Sequence, residues 1–143
     1  MTVRKILNLK GSDVVTIAPE KKLLDAIALL TKYRIGALIV TGKNQEVLGV
    51  LSERDIVHLL SNKDNNRFEN TVSSAMTTSV KSCTPDDAIQ HIMHVMTTGR
   101  FRHMPVVENG RLTGVISIGD VVKLRLEEME RESEHLKEYI ATA

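Results

Sequence analysis

The sequence is poor in the residues that mark secreted and membrane-spanning proteins. Its 143 residues include one cysteine, no tryptophan and only two tyrosines and two phenylalanines. A single cysteine cannot form an intramolecular disulfide, which favours a reducing, cytoplasmic location. No stretch without Asp, Glu, Lys or Arg approaches the ~20 apolar residues of a membrane-spanning helix. The first residues also lack the apolar core of a secretory signal, so we expect a protein that is neither exported nor embedded in a membrane.

The sequence also lacks an excess of positive or negative charge. Nineteen basic residues against eighteen acidic ones leave a formal net charge of +1. Such a balance creates no global field that would attract nucleic acid or a membrane surface. Four aromatic residues are also too few for a base-stacking platform. We therefore expect neither nucleic acid nor a membrane among the partners.

What the chain does contain is an internal duplication. The segment from Val47 to Val57 reappears as Leu112 to Val122, and both copies read apolar-x-Gly-Val-apolar-Ser-x-x-Asp-apolar-Val. Upstream, the residues from Ile35 to Val40 match those from Arg102 to Val107. Each copy of about 55–60 residues is near the lower limit for independent folding, so the copies are expected to pack as one module.

The spacing of apolar residues and the positions of Pro, Gly and Asn predict the same order of elements in each copy: strand, helix, strand, strand, helix. The first helix of each copy is predicted from apolar residues at helical spacing, namely Leu23, Ala26, Ile27 and Leu30, and then Ile89, Ile92, Met93 and Met96. Two short apolar runs around Gly42 or around Asn109-Gly110 predict a hairpin. The last helices are predicted over Ile56 to Leu60 and from about Val121 to Tyr139. The expected class is α/β (α+β), with two repeats related by a pseudo-two-fold axis.

These elements divide the chain into four parts. Residues 1–62 form repeat one with an N-terminal lead-in, and 63–70 form a polar linker. Residues 71–125 form repeat two, and 126–143 form a charged C-terminal helical extension. The extension is interpreted as a solvated helix or a tail that faces a partner.

The repeated Gly-Val-apolar-Ser-x-x-Asp, preceded by Gly36-Ala-Leu-Ile-Val40 or His103-Met-Pro-Val-Val107, resembles the cystathionine-β-synthase (CBS) domain. Two copies in tandem resemble a CBS pair, or Bateman module, and specifically the stand-alone bacterial CBS-pair proteins. The resemblance covers about residues 3 to 125. It implies a regulatory module without catalytic activity that binds AMP, ADP, ATP, NAD or S-adenosylmethionine in clefts between the repeats. It also implies a homodimer and an unknown regulated protein as partners.

The resemblance further implies which residues bind the nucleotide. The Asp of Ser-x-x-Asp would hold the ribose hydroxyls, the Ser would approach phosphate, and residues leading into the second strand would flank the adenine and phosphates. Repeat one then contributes Ser12, Val14, Ile35, Gly36, Ala37, Ser52, Arg54 and Asp55. Repeat two contributes Thr78, Val80, Arg102, His103, Met104, Pro105, Ser117 and Asp120.

The Ser-x-x-Asp motif has two physical interpretations. A carboxylate can accept hydrogen bonds from two vicinal hydroxyls, and the N-terminus of the following helix favours a bound anion. The same four residues are also typical of a capped helix, with Ser accepting from the backbone and the acid at the third helical position. Both roles can hold together. In the same region Gly36 is expected to remove a Cβ where the backbone approaches a ligand.

The two sites are expected to differ. Arg100, Arg102 and His103 form a basic cluster, interpreted either as phosphate contacts or as a solvated edge. Repeat one has Ile35-Gly36 at the matching place, and repeat two has Gly119 where repeat one has Arg54. We therefore predict two sites of different affinity, such as one for AMP and one for NAD. In the site of repeat one, either Arg54 compensates locally or Arg102 and His103 reach across the cleft.

We assign surface or core positions, rather than metal-binding or catalytic roles, to the other residues with reactive side chains. His91 and His94 lie on adjacent helical turns with no third ligand nearby, so they are expected to face water or a partner rather than a metal. Cys83 is expected to be a buried apolar residue rather than a nucleophile. No hydrolase, Walker or Cys-x-x-Cys motif is present, so no catalytic cofactor is expected. The alternative function is a ligand-free dimerisation or scaffold module that retains the motif as a cap.

Overall fold

A computed structural model describes residues 1–61 and 69–142 of the chain. Most of the predicted linker, including Lys63 and Asp64, lies outside the described residues. In chain order the elements are α1 (Val3–Lys10), β1 (Thr16–Ile17), α2 (Leu23–Tyr33), β2 (Ala37–Thr41), β3 (Val47–Ser52), α3 (Glu53–Leu60), α4 (Val72–Ala75), α5 (Ile89–Gly99), β4 (His103–Glu108), β5 (Arg111–Ser117) and α6 (Ile118–Thr142). The mixed class and the order within repeat one are as predicted.

Repeat one is built on a three-stranded sheet in the order β1-β2-β3. Strand β1 pairs with β2 in parallel, and β2 pairs with β3 in the antiparallel sense. The apolar face of α2 covers the sheet, because Leu23 and Ala26 share one core with Leu38, Val40 and Leu51. The sheet thus carries the β3–α3 junction, where Ser52 and Asp55 lie, on a packed support.

Repeat two has the same hairpin but a reduced first strand. Strands β4 and β5 pair in the antiparallel sense, with a register shift after Val106 that matches the one after Val40 in repeat one. Val106 therefore corresponds to Val40 and His103 to Ala37, one residue away from the correspondence expected from the sequence, which matched Val107 with Val40. The expected first strand is a single parallel bridge between Cys83 and Val106. Proline at position 105 has no N–H to donate, so the parallel ladder cannot extend toward Lys81.

The two lead-ins exchange places between the repeats. Helix α1, grouped with repeat one in the sequence, packs into the core of repeat two, where Val3 is 0% and Ile6 is 3% exposed. Helix α4 does the reverse, and Val72 at 0% exposure completes the core of repeat one. Backbone bonds fix both, since Val3 N donates to Asp87 O at 3.0 Å and Val72 N donates to Lys21 O at 2.7 Å. Separating the repeats would therefore open both cores.

The longest helix leaves the body of the protein. Helix α6 has 25 residues, and only Val121 and Leu124 near its start are buried. It begins slightly before and ends slightly after the predicted range. Across residues 1–61 and 69–142, no helix combines the length and apolar character that a bilayer span requires.

Candidate functional site

The first Ser-x-x-Asp motif forms a helix cap. The Ser52 hydroxyl accepts from the backbone N–H of Asp55 at 3.2 Å. In return, Asp55 Oδ2 accepts from the backbone N–H of Ser52 at 2.8 Å and from its hydroxyl at 3.0 Å. The other carboxylate oxygen, Oδ1, accepts from the Thr77 hydroxyl at 3.2 Å, on the segment after α4 that pairs with Val50 of β3. The capping interpretation is confirmed.

A cleft of about 460 Å³ lies between the repeats at this cap. Repeat one supplies one wall from the β3–α3 junction and the start of β2. Repeat two supplies the other from the segment after α4 and the loop before β4. The lining residues are Gly36, Val50, Ser52, Glu53, Arg54, Asp55, Thr77, Ser79, Val80, Lys81, Gly99, Arg100, Phe101, Arg102 and His103.

The charges around the cleft suit an anion. Four cationic side chains line it, from Arg54, Lys81, Arg100 and Arg102, against the two carboxylates of Glu53 and Asp55. The positive end of the α3 dipole also points into this region. The cations are exposed, so they are free to move onto a ligand at the mouth of the cleft.

One aromatic ring lies in the cleft wall. The Phe101 ring packs against Gly99, where an added Cβ would collide with it. Phe101 is half-buried and is supported by the core of repeat two. Between these two residues the backbone turns through Arg100, whose φ of 56° lies in the left-handed region. The wall thus combines an apolar ring with the neighbouring guanidinium groups.

His103 lies at the centre of the molecule, beside Gly36 of the other repeat. Burial lowers the pKa of His103, and the nearby charges of Lys10 and Arg102 lower it further, while Glu53 and Asp120 oppose the change. The imidazole is therefore neutral at pH 7. A Cβ at Gly36 would stand 3.5 Å from His103 Cε1, an ordinary contact. No protein atom requires glycine at this position, and the expectation that Gly36 lets a ligand approach the backbone stays a prediction.

The second Ser-x-x-Asp motif has a different environment. Asp120 Oδ2 accepts from the backbone N–H of Ser117 at 2.9 Å and from the Lys10 ammonium at 2.8 Å. Lys10 also donates to the carbonyl of Val115 at 3.1 Å. The adjoining cavity, between α1 and α6, has a volume of only about 130 Å³. Helix α1 is one turn longer than α4, and this extra turn carries the lysine that occupies the position.

The ionisation of Asp120 reflects this lysine. Burial opposes the charged form, but the hydrogen bonds from Lys10 and Ser117 outweigh it and hold the pKa of Asp120 below its usual 3.8. The Asp120 carboxylate is consequently ionised and ion-paired at neutral pH. This pair could not be predicted from local patterns, because Lys10 and Asp120 are 110 residues apart.

The structure brings together about half of the predicted site residues. Gly36, Ser52, Arg54, Asp55, Val80, Arg102 and His103 line the cleft, whereas Ser12, Val14, Ile35, Ala37, Thr78, Met104, Pro105, Ser117 and Asp120 do not. Met104 is 1% exposed in the core, and Pro105 is buried in β4, so their side chains cannot reach the cleft. Ile35 packs against the core of repeat one.

Sequence reasoning missed several wall residues. These are Val50, Glu53, Thr77, Ser79, Lys81, Gly99 and Phe101, while Arg100 was recognised only as part of the basic cluster. Val50 and Glu53 lie within the matched segment from Val47 to Val57, and Phe101 comes directly before the one that begins at Arg102. Neighbourhood to the repeated motifs was thus the signal that could have found them.

The remaining reactive residues are outside the cleft. Burial, with a contribution from Asp87, raises the pKa of the Cys83 thiol to about 12, so it is protonated at neutral pH. His91 and His94 are both exposed, as predicted. Among the described residues there is no group of three or more His, Cys, Asp or Glu side chains that could hold a metal ion.

Comparison with known proteins follows the same division into repeats. A family model for the CBS domain matches residues 3–62 and again 72–127. A CBS-domain containing protein from Agrobacterium tumefaciens is 44% identical, and the alignment covers 87% of this chain and 99% of that one with a TM-score of 0.83. A CBS-domain protein of Burkholderia ambifaria is 33% identical over 89% of this chain and 95% of its own, with a TM-score of 0.82. The mitochondrial CBSX3 of Arabidopsis thaliana is 32% identical over 81% of this chain, which spans 58% of that relative's length.

Two more distant structures share the fold and contain nucleosides or nucleotides. CBSX2 in complex with AMP is 24% identical over 90% of this chain and 98% of its own, with a TM-score of 0.76. A CBS domain pair in complex with 5'-methylthioadenosine and S-adenosylmethionine is 21% identical over 90% of this chain and 98% of its own, with a TM-score of 0.78.

Proposed function

The chain belongs to the CBS-domain family, with two domains in tandem, and from that premise we propose that it is a regulatory module without catalytic activity that binds an adenine nucleotide between its repeats. One observation carries the proposal. The cleft unites Asp55 from the cap of repeat one with Arg102 and Phe101 from repeat two. A carboxylate, a cation cluster and an aromatic ring in one cleft correspond to the ribose, phosphate and base of a nucleotide.

In the proposed complex each group has a separate role. Asp55 Oδ1 accepts hydrogen bonds from the ribose hydroxyls, while Oδ2 keeps its bonds to Ser52. The phosphate lies among the guanidinium groups of Arg54, Arg100 and Arg102, and Phe101 contacts the base. Ser12, Val14, Thr78, Met104 and Pro105, which the family resemblance implied, have no assigned contact in this complex.

The proposed ligand is AMP, ADP, ATP, NAD or S-adenosylmethionine. Support for this class comes from the relatives crystallised with AMP and with S-adenosylmethionine. The cleft volume of about 460 Å³ is within the usual range of small-molecule sites. Four cations against two carboxylates favour a ligand with phosphate groups over S-adenosylmethionine, which has a positively charged sulfur.

We propose that the two sites are unequal, with the cleft at Asp55 as the principal one. The matching position in repeat two holds the ion pair between Lys10 and Asp120. A second nucleotide would have to displace this lysine before Asp120 could hold a ribose. This proposal keeps the predicted inequality of the sites but gives it a cause other than the expected differences at Arg54 and Arg102.

Binding is proposed to act through the relative position of the repeats. A ligand that contacts both walls favours the arrangement in which the walls are closest, which shifts the population of conformations. The outer faces of α2 and α3 would present this change to a regulated protein. The module is proposed to act in the cytoplasm as a homodimer.

The alternative is a scaffold that binds no ligand. It is favoured by one observation, since the capping bonds at Ser52 and Asp55 account for that motif without a nucleotide. The two functions differ in what the purified protein carries.

Mass spectrometry of small molecules released by denaturing the purified protein separates them. The proposal predicts an adenine nucleotide in amounts comparable with the protein. Where the purified protein carries none, calorimetric titration with AMP, ADP, ATP, NAD and S-adenosylmethionine should still detect binding of at least one. No bound nucleotide together with no heat of binding would support the scaffold.

A further inference from the structure

The end of α6 has no support from the rest of the described structure. Every residue from 129 to 142 is exposed. An isolated helix of this length is marginal in water, because its backbone hydrogen bonds barely compensate for the lost chain entropy. A helix that projects so far from the body is therefore expected to have a partner along its apolar side.

The exposed apolar residues of α6 form a continuous seam. Leu126, Met129, Leu136 and Ile140 are 55%, 50%, 60% and 66% exposed. Together with the half-buried Val122 and with Ser133, they follow one another at intervals of four, three, four, three and four residues. This is the alternation of the a and d positions in a coiled coil, with 126, 133 and 140 at a and 122, 129 and 136 at d. The seam is about a third of a turn away from the face that carries Val121 and Leu124, so it stays accessible.

The flanking charges identify the occupant of the seam as a second copy of the same helix. Glu132 occupies a g position and Lys137 the e position five residues later. In a parallel pair in register, each Glu132 faces Lys137 of the second copy, in both directions across the axis. The seam is thus complementary to itself, as a two-fold interface requires.

The same residues disfavour the antiparallel arrangement. With full overlap of the seams, an antiparallel pair would place Glu132 opposite Glu132 and Glu130 opposite Glu130. It would also place Lys123 opposite Lys137 of the second copy. Like charges in these positions are repulsive, so the sequence distinguishes the two orientations.

We infer that the C-terminal halves of two α6 helices form a parallel, in-register coiled coil that joins two copies of this chain. The inference deepens the proposed homodimer by naming its contact and orientation. It places both nucleotide clefts at the same end of the assembly and leaves the outer faces of α2 and α3 available to the regulated protein.

Cysteine cross-linking tests the orientation. In a parallel pair the two Ser133 side chains meet at the axis, and Ser133→Cys is close to isosteric. Arg131→Cys is the matched control, since it lies on the opposite side of the same helix turn. The native Cys83 is only 2% exposed and contributes little background. Under mild oxidation, Ser133→Cys should migrate mainly as a disulfide-linked species of twice the 15.9 kDa chain mass, and Arg131→Cys mainly as single chains.

Exchanging the charges at the e and g positions of α6 provides a second test. Under reducing conditions, Lys137→Glu should raise the dimer dissociation constant measured by analytical ultracentrifugation, and the double variant with Glu132→Lys should restore it. Equal cross-linking of both cysteine variants, or a dimer unaffected by Lys137→Glu, would overturn the coiled coil. Nucleotide titration of the same samples tests the cleft separately. If no sample bound nucleotide, the proposed ligand would be contradicted, and the pairing of the helices would still be decided by the cross-linking result.

Discussion

Asp55 and Asp120 stand at equivalent positions of two similar repeats, yet their carboxylates have different neighbours. Asp55 meets the neutral hydroxyl of Thr77, on the segment after α4, at 3.2 Å. Asp120 meets the ammonium of Lys10 at 2.8 Å. A carboxylate already paired with a cation gains less from a new hydroxyl donor, because that donor must compete with a charge-assisted bond. The difference between the sites therefore arises from one side chain outside the repeated motif.

Replacing Lys10 by methionine is expected to lower stability in a pH-dependent way. The pair lowers the pKa of Asp120 below 3.8, so its stabilising contribution is present at neutral pH and is lost as the pH falls through that lowered value. At pH 7 the loss should be about 1 kcal/mol, as is typical of partly exposed ion pairs. Chemical denaturation of Lys10→Met and the native protein at pH 7 and near pH 3 measures it. A difference that persists unchanged at the lower pH would show that the pair is not its source.

Arg100 and Arg34 offer a matched test of the cation cluster. Both end a helix in the left-handed region, with φ of 56° and 53°, but only Arg100 lines the cleft. Arg100→Gln should weaken AMP binding about tenfold, or about 1.4 kcal/mol, through loss of a charge near the phosphate. Arg34→Gln should leave the affinity unchanged. Titrations at low and high salt check the cause, because the effect of Arg100→Gln should shrink as salt screens the cluster.

At the scale of elements, the exchanged lead-ins determine how the repeats hold together. Helix α1 belongs to the core of repeat two, and α4 belongs to the core of repeat one. Each repeat thus depends on a segment that precedes the other repeat in the chain. This arrangement links the two walls of the cleft, so movements of the repeats are limited to those that keep both cores packed.

A substitution in α1 should accordingly destabilise the whole protein. Val3→Ala removes a fully buried side chain from the core of repeat two and should cost about 2 kcal/mol. Leu9→Ala on the same helix, where Leu9 is 65% exposed, should cost little. Urea unfolding of both variants measures the difference. If the two variants were equally stable, α1 would be a detachable tail rather than part of a core.

The local sequence patterns predicted the positions of the helices and strands better than they predicted which elements pack together. Helical spacing located α2 and α5, and the Asn109-Gly110 turn located the second hairpin, because these signals are short in range. They could not show that Val3 packs beneath Ile89 instead of joining repeat one, since both lead-ins are apolar on one face. They also missed the effect of Pro105, whose absent N–H acts on a strand more than twenty residues away.

The candidate site was predicted in the same uneven manner. Ser52, Asp55, Arg102 and His103 followed from the duplicated motif and do line one cleft. Phe101 and Thr77 did not follow, because they lie outside the segments matched between the repeats. Assigning equal roles to Asp55 and Asp120 required a symmetry that the extra turn of α1 breaks.

At the scale of the whole molecule, the shared cores join the two repeats and their cleft into one unit. We expect this unit to unfold in a single transition. Each repeat buries a helix that precedes the other repeat in the chain, so neither is expected to unfold alone. Saturation with nucleotide should raise the midpoint of this one transition, because a ligand held by both walls binds only the folded state. Differential scanning calorimetry with and without AMP checks this. Two separate transitions, of which only one responds, would indicate repeats that act independently.

The central claim is that Asp55, and not its counterpart Asp120, holds the ribose of a bound nucleotide. Calorimetric titration of AMP into the native protein, Asp55→Ala and Asp120→Ala tests it most directly, since both variants lose an equivalent cap. Asp55→Ala should bind about ten- to hundredfold more weakly, from the loss of charge-assisted bonds worth about 1.5–3 kcal/mol. Asp55→Asn, which keeps an acceptor for the Ser52 N–H, should also bind more weakly while staying folded. Asp120→Ala should bind AMP nearly as the native protein does. Native affinity in both Asp55 variants, or a greater loss in Asp120→Ala, would contradict the account.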